Sequence, residues 1–366
     1  MLVRADLNVP LDGGRVADDT RITAAMPTVE LLLERGARVV LCSHLGRPRG
    51  EPKPELSLRP VADRIGELLD RDVAFGDEQG ELRLLENLRV DPREEQNDPG
   101  FAAELAAQAD LYVNDAFGAA HRAHASTEGV AHLLPAAAGL LLEAELNAFA
   151  RLLDHPQHPF VVVIGGVKVA DKIGVIERFT QIADSILIGG AMAFTFLAAA
   201  GVAVGSSRHE DEDGQATAQQ AVEDARTRGC ELLLPVDVVV ADRFAADAET
   251  RVVDANEIPE GWMGLDVGPR TSELFAGRLA AARTVFWNGP MGVFELEPFA
   301  QGTLELARAV AASDAVSVVG GGDSVAAVNV AGVADQITHV STGGGAALEL
   351  VEGKTLPGVA ALEQAA

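Results

Sequence analysis

The run Phe160-Val161-Val162-Val163-Ile164 limits what this chain can become more than any other stretch. An unbroken, mostly β-branched apolar run closed by Gly165-Gly166 reads as a short strand buried on both faces. The same grammar recurs along the chain. Ala37–Cys42 leads into Ser43-His44-Leu45-Gly46-Arg47, and Leu111–Val113 into Asn114-Asp115-Ala116-Phe117-Gly118. Ser185–Ile188 leads into Gly189-Gly190, and Thr284–Trp287 into Asn288-Gly289-Pro290. Ala315–Val319 meets Gly320-Gly321-Gly322-Asp323, and Gln336–Ser341 meets Gly343-Gly344-Gly345. Leu2–Val9, Asp72–Phe75, Glu81–Val90, Glu231–Leu234 and Asp237–Val240 also read as strands. Helical patterns lie between, such as Arg21–Leu33 behind the capping pair Asp19-Thr20, Arg59–Leu69 and Ala102–Ala109. Strand, loop, helix, repeated, predicts parallel α/β sheets whose loop edge receives the ligand. At 366 residues two domains are expected. Pro135–Leu153, rich in Ala and Leu, reads as one helix connecting the halves.

Composition narrows the function classes. The chain is 48% hydrophobic with mean hydropathy +0.14, so it folds. No apolar run is long enough to span a bilayer, and Met1 opens into a strand pattern rather than a signal peptide, so no membrane and a cytoplasmic location are expected. Cys42 and Cys230 fit no metal or redox spacing and read as core thiols. The net charge of −26 argues against nucleic acid as a partner. The acidity is spread over many segments and lysine is confined to Lys53, Lys168, Lys172 and Lys354, the pattern of a salt-adapted surface. Against such a background, clustered cations mark anion sites.

Two clusters follow. Lys168 and Lys172, four apart after Gly165-Gly166, are expected to share a face at the start of a helix and to trap an anion. In the first half Arg21, His44, Arg47, Arg89 and Arg122 all fall at strand ends or helix starts. Together they form a set of possible cations suited to a multiply anionic small molecule. Asp6 and Asn8 share a face where the first strand ends. The second half offers glycine-rich loops instead. Asp323, after three glycines, can reach a metal ion bound to phosphates, and Glu295 suits a ribose. One lobe for a small anion and one for a nucleotide suggests phosphoryl transfer. Competing motifs fail: Gly353-Lys354-Thr355 lacks the first P-loop glycine, with Leu348 in its place. Val325 and Leu348 break both dinucleotide fingerprints, which disfavours a nicotinamide-dependent dehydrogenase.

At this point the chain resembles the phosphoglycerate kinases. The resemblance rests on VRADLNVPLDGG, DDTRI, SHLGRP, LLENLR, VNDAFGAAHRAHAS, GGVKVADKIGVI, IGGAMAFTFL, LLPVDVVVAD, GWMGLDVGP, WNGPMGVFE, VGGGDSVAAV, STGGGAALE and EGKTLPGV, in the family's order from Met1 to the end. It implies an α/β fold of two Rossmann-like lobes with parallel sheets, joined by a hinge helix. A phosphoglycerate-binding lobe would span 1–136 with a returning segment 346–366, a connecting helix 137–153, and a nucleotide-binding lobe 154–345. It implies reversible exchange of 3-phosphoglycerate and ATP with 1,3-bisphosphoglycerate and ADP in glycolysis, with Mg2+, by a cytoplasmic monomer. Asp6, Leu7, Asn8, Arg21, His44, Leu45, Gly46, Arg47, Arg89 and Arg122 would hold the phosphoglycerate. Gly166, Val167, Lys172, Gly189, Gly190, Gly264, Asn288 and Glu295 would hold the nucleotide. Gly321, Gly322, Asp323 and Ser324 would face its phosphates, with Asp323 toward the magnesium. Arg21 and Lys168, supported by Lys172, are assigned the charge on the transferred phosphoryl group.

Three departures stand out. Family members usually carry a segment before the first strand, so Met1 is expected to lack one upstream. Val167 stands where a small residue is usual, and Ala191 replaces a glycine; both are expected to narrow the adenine pocket. A catalytically dead binding protein of the same fold is the main alternative; its mark would be a broken arginine or lysine set, which is absent here.

Overall fold

The computed structural model describes residues 1–365 and divides into two compact units. The first comprises Met1–Asn147, Gly345–Leu350 and the chain from Lys354 onward; the second comprises Ala148–Gly344 and Val351–Gly353.

The strands of the first unit are β1 (Leu2–Ala5), β2 (Leu11–Asp12), β3 (Arg15–Val16), β4 (Val39–Cys42), β5 (Ala74–Phe75), β6 (Leu82–Leu84), β7 (Tyr112–Asp115) and β8 (Ala136–Ala138). All but the β2–β3 hairpin join one parallel sheet of order β5-β6-β4-β1-β7-β8. The chain starts at the centre, winds out one way, then returns to the other side of β1, so a topological switch point lies between β1 and β7. Val3, Leu41, Leu84 and Val113 from its strands pack with Ile22, Val29 and Ile65 from helices Thr20–Glu34 and Arg59–Leu69.

The second unit repeats the plan. Its strands are β9 (Phe160–Ile164), β10 (Ser185–Ile188), β11 (Glu231–Leu233), β12 (Asp237–Ala241), β13 (Thr250–Asp254), β14 (Met263–Val267), β15 (Thr284–Asn288), β16 (Val316–Gly320) and β17 (His339–Val340). The parallel sheet runs β11-β10-β9-β15-β16-β17, with its switch point between β9 and β15. Every residue of β9 is buried, as its apolar run demands. On one face Phe179 lies against Phe160 and Phe286, with ring centroids 5.6 and 4.9 Å apart.

Three features differ from the sequence reading. Pro135–Leu153 is not one helix: Ala136–Ala138 is an edge strand, and the helix is Leu140–Leu153. Three alanines favour a helix by propensity, but Pro135 and Gly139 bracket them, and the open edge of β7 offers a ladder. Asp115, at the end of β7, then accepts the Leu141 and Leu142 N–H groups at 2.9 and 3.1 Å and caps that helix. Glu81–Val90 forms only the short strand β6 and then a single turn, Leu88–Val90, because the Asn87 side chain accepts the Arg89 N–H. The strands on either side of Pro235 part company. β11 stays in the parallel sheet, while β12 joins a small antiparallel sheet, β13-β12-β14, that the sequence reading did not contain. Cys42 and Cys230 are free and buried, as expected; burial pushes the Cys42 thiol up to about 12.

Candidate active site

In the first unit the predicted anion-binding residues gather beyond the carboxyl ends of β1, β4, β6 and β7, with Arg21 on the helix Thr20–Glu34. Asp6, just past β1, accepts from Arg21 Nη1 at 2.6 Å; Arg21 is in the first turn of helix Thr20–Glu34 and is 38% exposed. Asn8 Oδ1 accepts from Gly46 N at 2.9 Å, tying the loop after β1 to the loop after β4. Arg89 Nη1 donates to the Gly46 carbonyl at 3.0 Å. Its Nε lies 3.2 Å from Glu95 Oε1, out of line for a hydrogen bond, and is buried without one. Burial, with Arg122 as the next cause, pushes the Arg89 guanidinium down to about 10. Arg122 Nε meets His121 Nε2 at 3.1 Å. Arg47 is exposed on the loop after β4. Leu7 and Leu45 turn their side chains into the core, and their backbone N–H groups donate to Ser43 Oγ at 2.9 Å and Asn87 Oδ1 at 3.2 Å, which fixes the loops that carry the polar residues.

His44 departs from the expected set of cations. It is buried, and its Nδ1 lies 3.0 Å from Arg4 Nη2. A guanidinium only donates, so Nδ1 must accept and carries no proton. Burial first, then Arg4, Arg89, Arg122 and Arg21, hold its pKa well below the ordinary histidine value. His44 therefore offers a neutral N–H and not a charge.

The second unit presents main chain. Three loops, after β9, β10 and β15, touch backbone to backbone. Gly190 N donates to the Met291 carbonyl and Gly165 N to the Asn288 carbonyl, both at 2.9 Å. A Cβ at Gly165 would collide with the Pro290 carbonyl oxygen, one at Gly190 with the Gly166 backbone, and one at Gly189 with the Met291 side chain. Gly166 has φ +119° and Gly321 φ +90°, conformations that require glycine. Beside these loops lies a cavity of about 370 Å³. Gly166, Val167, Gly190, Gly264, Glu295 and Asp323 line it, as does Ala191. Gly264 lies flush on the Phe194 ring, where a Cβ could not fit. Phe194, Pro235, Val238 and Phe244 give the cavity apolar walls that sequence reasoning missed, because three of them stand on or next to the unanticipated antiparallel sheet.

The remaining predicted residues form the stitching behind the cavity. Lys172 Nζ donates to Asn288 Oδ1, and Asn288 Nδ2 donates to the Gly320 carbonyl at 2.8 Å. Buried Ser324 accepts the Gly289 N–H at 2.6 Å. Burial lowers the Lys172 pKa, against the pull of Asp171, Asp323 and Glu352. The expected helical pairing of the two lysines does not occur: the helix is Ile173–Phe179, so Lys168 sits exposed on the loop while Lys172 is tucked in. Gly322 and Asp323 are exposed in the first turn of helix Gly322–Val330.

Asp266, near the end of β14, also lines the cavity. It accepts from Val267 N at 2.9 Å and Gly302 N at 2.8 Å, and burial pushes its carboxyl up to about 7. Among the described residues no group of three or more His, Cys, Asp or Glu could hold a metal ion by itself. That leaves Asp323, single and exposed beside the cavity, which fits a magnesium held mainly by a nucleotide's phosphates.

Comparisons with known proteins agree with this geometry. The phosphoglycerate kinase family model matches residues 1–354. The chain is 58% identical to the phosphoglycerate kinase of Chloroflexus aurantiacus, over 100% of this chain and 96% of that one. It is 59% identical to that of Rubrobacter xylanophilus, over 100% and 95%. The solved phosphoglycerate kinase of Coxiella burnetii aligns with a TM-score of 0.91 at 43% identity, covering 99% of this chain and 95% of that one. That of Pyrococcus horikoshii aligns at 0.85 and 34%, covering 100% and 96%. Two Rossmann-like parallel sheets, a cation-lined loop edge on one and a glycine cradle on the other thus come with matches along nearly the whole chain, and the chain belongs to the phosphoglycerate kinase family, with its transferase activity.

Proposed function

We propose a division of labour by residue. The first unit binds 3-phosphoglycerate or 1,3-bisphosphoglycerate through Asp6, Asn8, Arg21, His44, Arg47, Arg89 and Arg122, with the backbone of Leu7, Leu45 and Gly46. The second binds ATP or ADP on Gly166, Val167, Gly189, Gly190, Gly264 and Glu295, with Lys172, Asn288, Gly321, Gly322, Asp323 and Ser324 toward the phosphates. The observation that carries this reading is Arg89. A guanidinium 5% exposed, with Nε unbonded and Arg122 near enough to lower its pKa, gains most when an anion arrives.

In the ATP-consuming direction the substrate carboxylate oxygen attacks the γ-phosphorus. The bond from that phosphorus to the bridging oxygen breaks, and ADP leaves. The carboxylate is already ionised, so no general base is required. The protein's task is alignment and charge neutralisation, assigned to Arg21 and Lys168 with Lys172 in support. A bound Mg2+, with Asp323 toward it, supplies further charge neutralisation on the phosphates. Arg21 and Lys168 belong to different units, so the proposal includes a closure turning about the connecting helix Leu140–Leu153. The reading further includes domain limits of 1–136 with 346–366 and of 154–345, a cytoplasmic monomer, no nucleic-acid partner and a salt-adapted surface.

The test is a coupled assay of 1,3-bisphosphoglycerate formation from 3-phosphoglycerate and MgATP, run across a salt series. Lys168→Ala is expected to lower kcat far more than it weakens ATP binding. Equal losses in binding and turnover would remove Lys168 from the transition state. Activity falling steadily with added salt would refute the salt adaptation.

A further inference from the structure

A charged network beneath the substrate loops has no part in the proposal so far. Arg4 lies within β1 and is 0% exposed, in a strand that is otherwise core. A buried guanidinium is costly unless its donors are matched and its charge is met. Its Nε donates to Ser126 Oγ at 2.8 Å, Nη1 to the Ala5 carbonyl, and Nη2 to His44 Nδ1 at 3.0 Å. Ser126 Oγ lies 2.6 Å from Glu94 Oε1, and Ser126 N donates to Glu94 Oε2 at 3.0 Å. Glu94 and Ser126 are themselves fully buried.

With Glu94 ionised, hydrogen-bond direction in this chain of groups is forced; burial raises that carboxyl, while Arg4 and the two bonds from Ser126 hold it down. Arg4 can only donate, so Ser126 Oγ accepts from it and has one proton left to give. That proton goes to Glu94. At the other end, Arg4 Nη2 fills the lone pair of His44 Nδ1, which leaves the imidazole proton on Nε2. We propose that Glu94, acting through Ser126 and Arg4, is a positioning residue that locks His44 as its Nε2–H tautomer, so that this N–H serves as a neutral donor to the anionic substrate. The substrate half of this inference rests on the proposed function. The charged groups that face His44 are Arg4 from β1, Arg21 from helix Thr20–Glu34, Arg89 from the turn Leu88–Val90 and Arg122 from the loop after β7. All are cations, so protonating the imidazole would add a like charge to a crowded site. Glu94, two groups away, is the counter-charge, with His124 Nδ1 3.7 Å from its Oε1.

The test reads the tautomer directly. In protein labelled with 15N-histidine, the His44 resonances are assigned by their loss in His44→Gln and followed from pH 5 to 8. The expected result is an unprotonated Nδ1 and a protonated Nε2 throughout. Ser126→Ala and Glu94→Gln should give mixed tautomers and raise KM for 3-phosphoglycerate about tenfold, with KM for ATP unchanged. Ser126→Thr, which keeps the hydroxyl, should restore both. A proton on Nδ1 in the unaltered protein, or an unchanged tautomer in Ser126→Ala, would overturn the relay; neither result depends on Glu94→Gln folding. A His44 resonance indifferent to added 3-phosphoglycerate would overturn the substrate half alone.

Discussion

The two units share one architecture and differ in what they place at the loop edge. The first presents side chains: Arg21, Arg89 and Arg122 over the relay from Glu94 to His44. The second presents main chain, with loops so close that glycine is the only residue that fits. Side chains can be removed one at a time while the scaffold stands. A backbone cradle is itself part of the scaffold, so damage to it reaches binding and folding together.

The largest effect tests that contrast most severely. Gly165→Ala drives a methyl into the Pro290 carbonyl, and should cost several kcal/mol of second-unit stability together with most ATP affinity. A variant that melts and binds ATP normally would break the comparison. Arg21→Ala should do the reverse in the first unit: kcat lower by about 100- to 1,000-fold with an unchanged melting temperature, read from steady-state kinetics and calorimetry.

Buried titratable groups sharpen the contrast further. His124 is pushed down to about 4 by burial and then by Arg89, so the unfolded chain binds more protons between pH 4 and 6.5. Its contribution to first-unit stability therefore rises with pH across that window, by about 3 kcal/mol in all. Asp266 has the opposite sign. Its carboxyl is raised from 3.8 to about 7, so the folded form binds more protons, and second-unit stability falls as pH rises from about 4 to 7. Urea titrations at stepped pH should show the two slopes, flattened respectively by His124→Gln and Asp266→Asn. Because burial also raises Glu94 and Asp115 in the first unit, with the opposite sign, the substitutions decide: slopes unchanged in His124→Gln and Asp266→Asn would defeat the account. The smallest effect probes what the units share. Asp98 caps helix Pro99–Ala106 in the first and Asp211 caps helix Glu212–Arg228 in the second. Alanine at either should cost about 1 kcal/mol by denaturant midpoint.

The sequence made the loop edge legible because the two signals there are local. An apolar run such as Phe160–Ile164 has one use, and a glycine pair behind it has few. What it concealed was non-local. Ala136–Ala138 is a strand only because β7 has an open edge beside it. The antiparallel sheet is hidden because β13 is mostly exposed and β14 carries Gly264 and Asp266 among its apolar residues, so neither shows a clean period. Lys168 and Lys172 have helical spacing without a helix. His44 looks like a cation until Arg4 is found against it, although an arginine inside the run Leu2–Ala5 was itself a signal that a buried partner had to exist.

The contact of the glycine loops after β9, β10 and β15 also bears on how such a protein can change. A recognition surface written in peptide groups has almost no letters to edit: every substitution at Gly165, Gly190 or Gly289 meets another backbone before it meets a ligand. On the proposed function, variation in nucleotide preference falls to the few wall positions that carry side chains, Val167, Ala191, Phe194 and Phe244 among them. A change in the glycine loops is thus a change in the scaffold itself, and the cavity walls are where side chains can be exchanged without one.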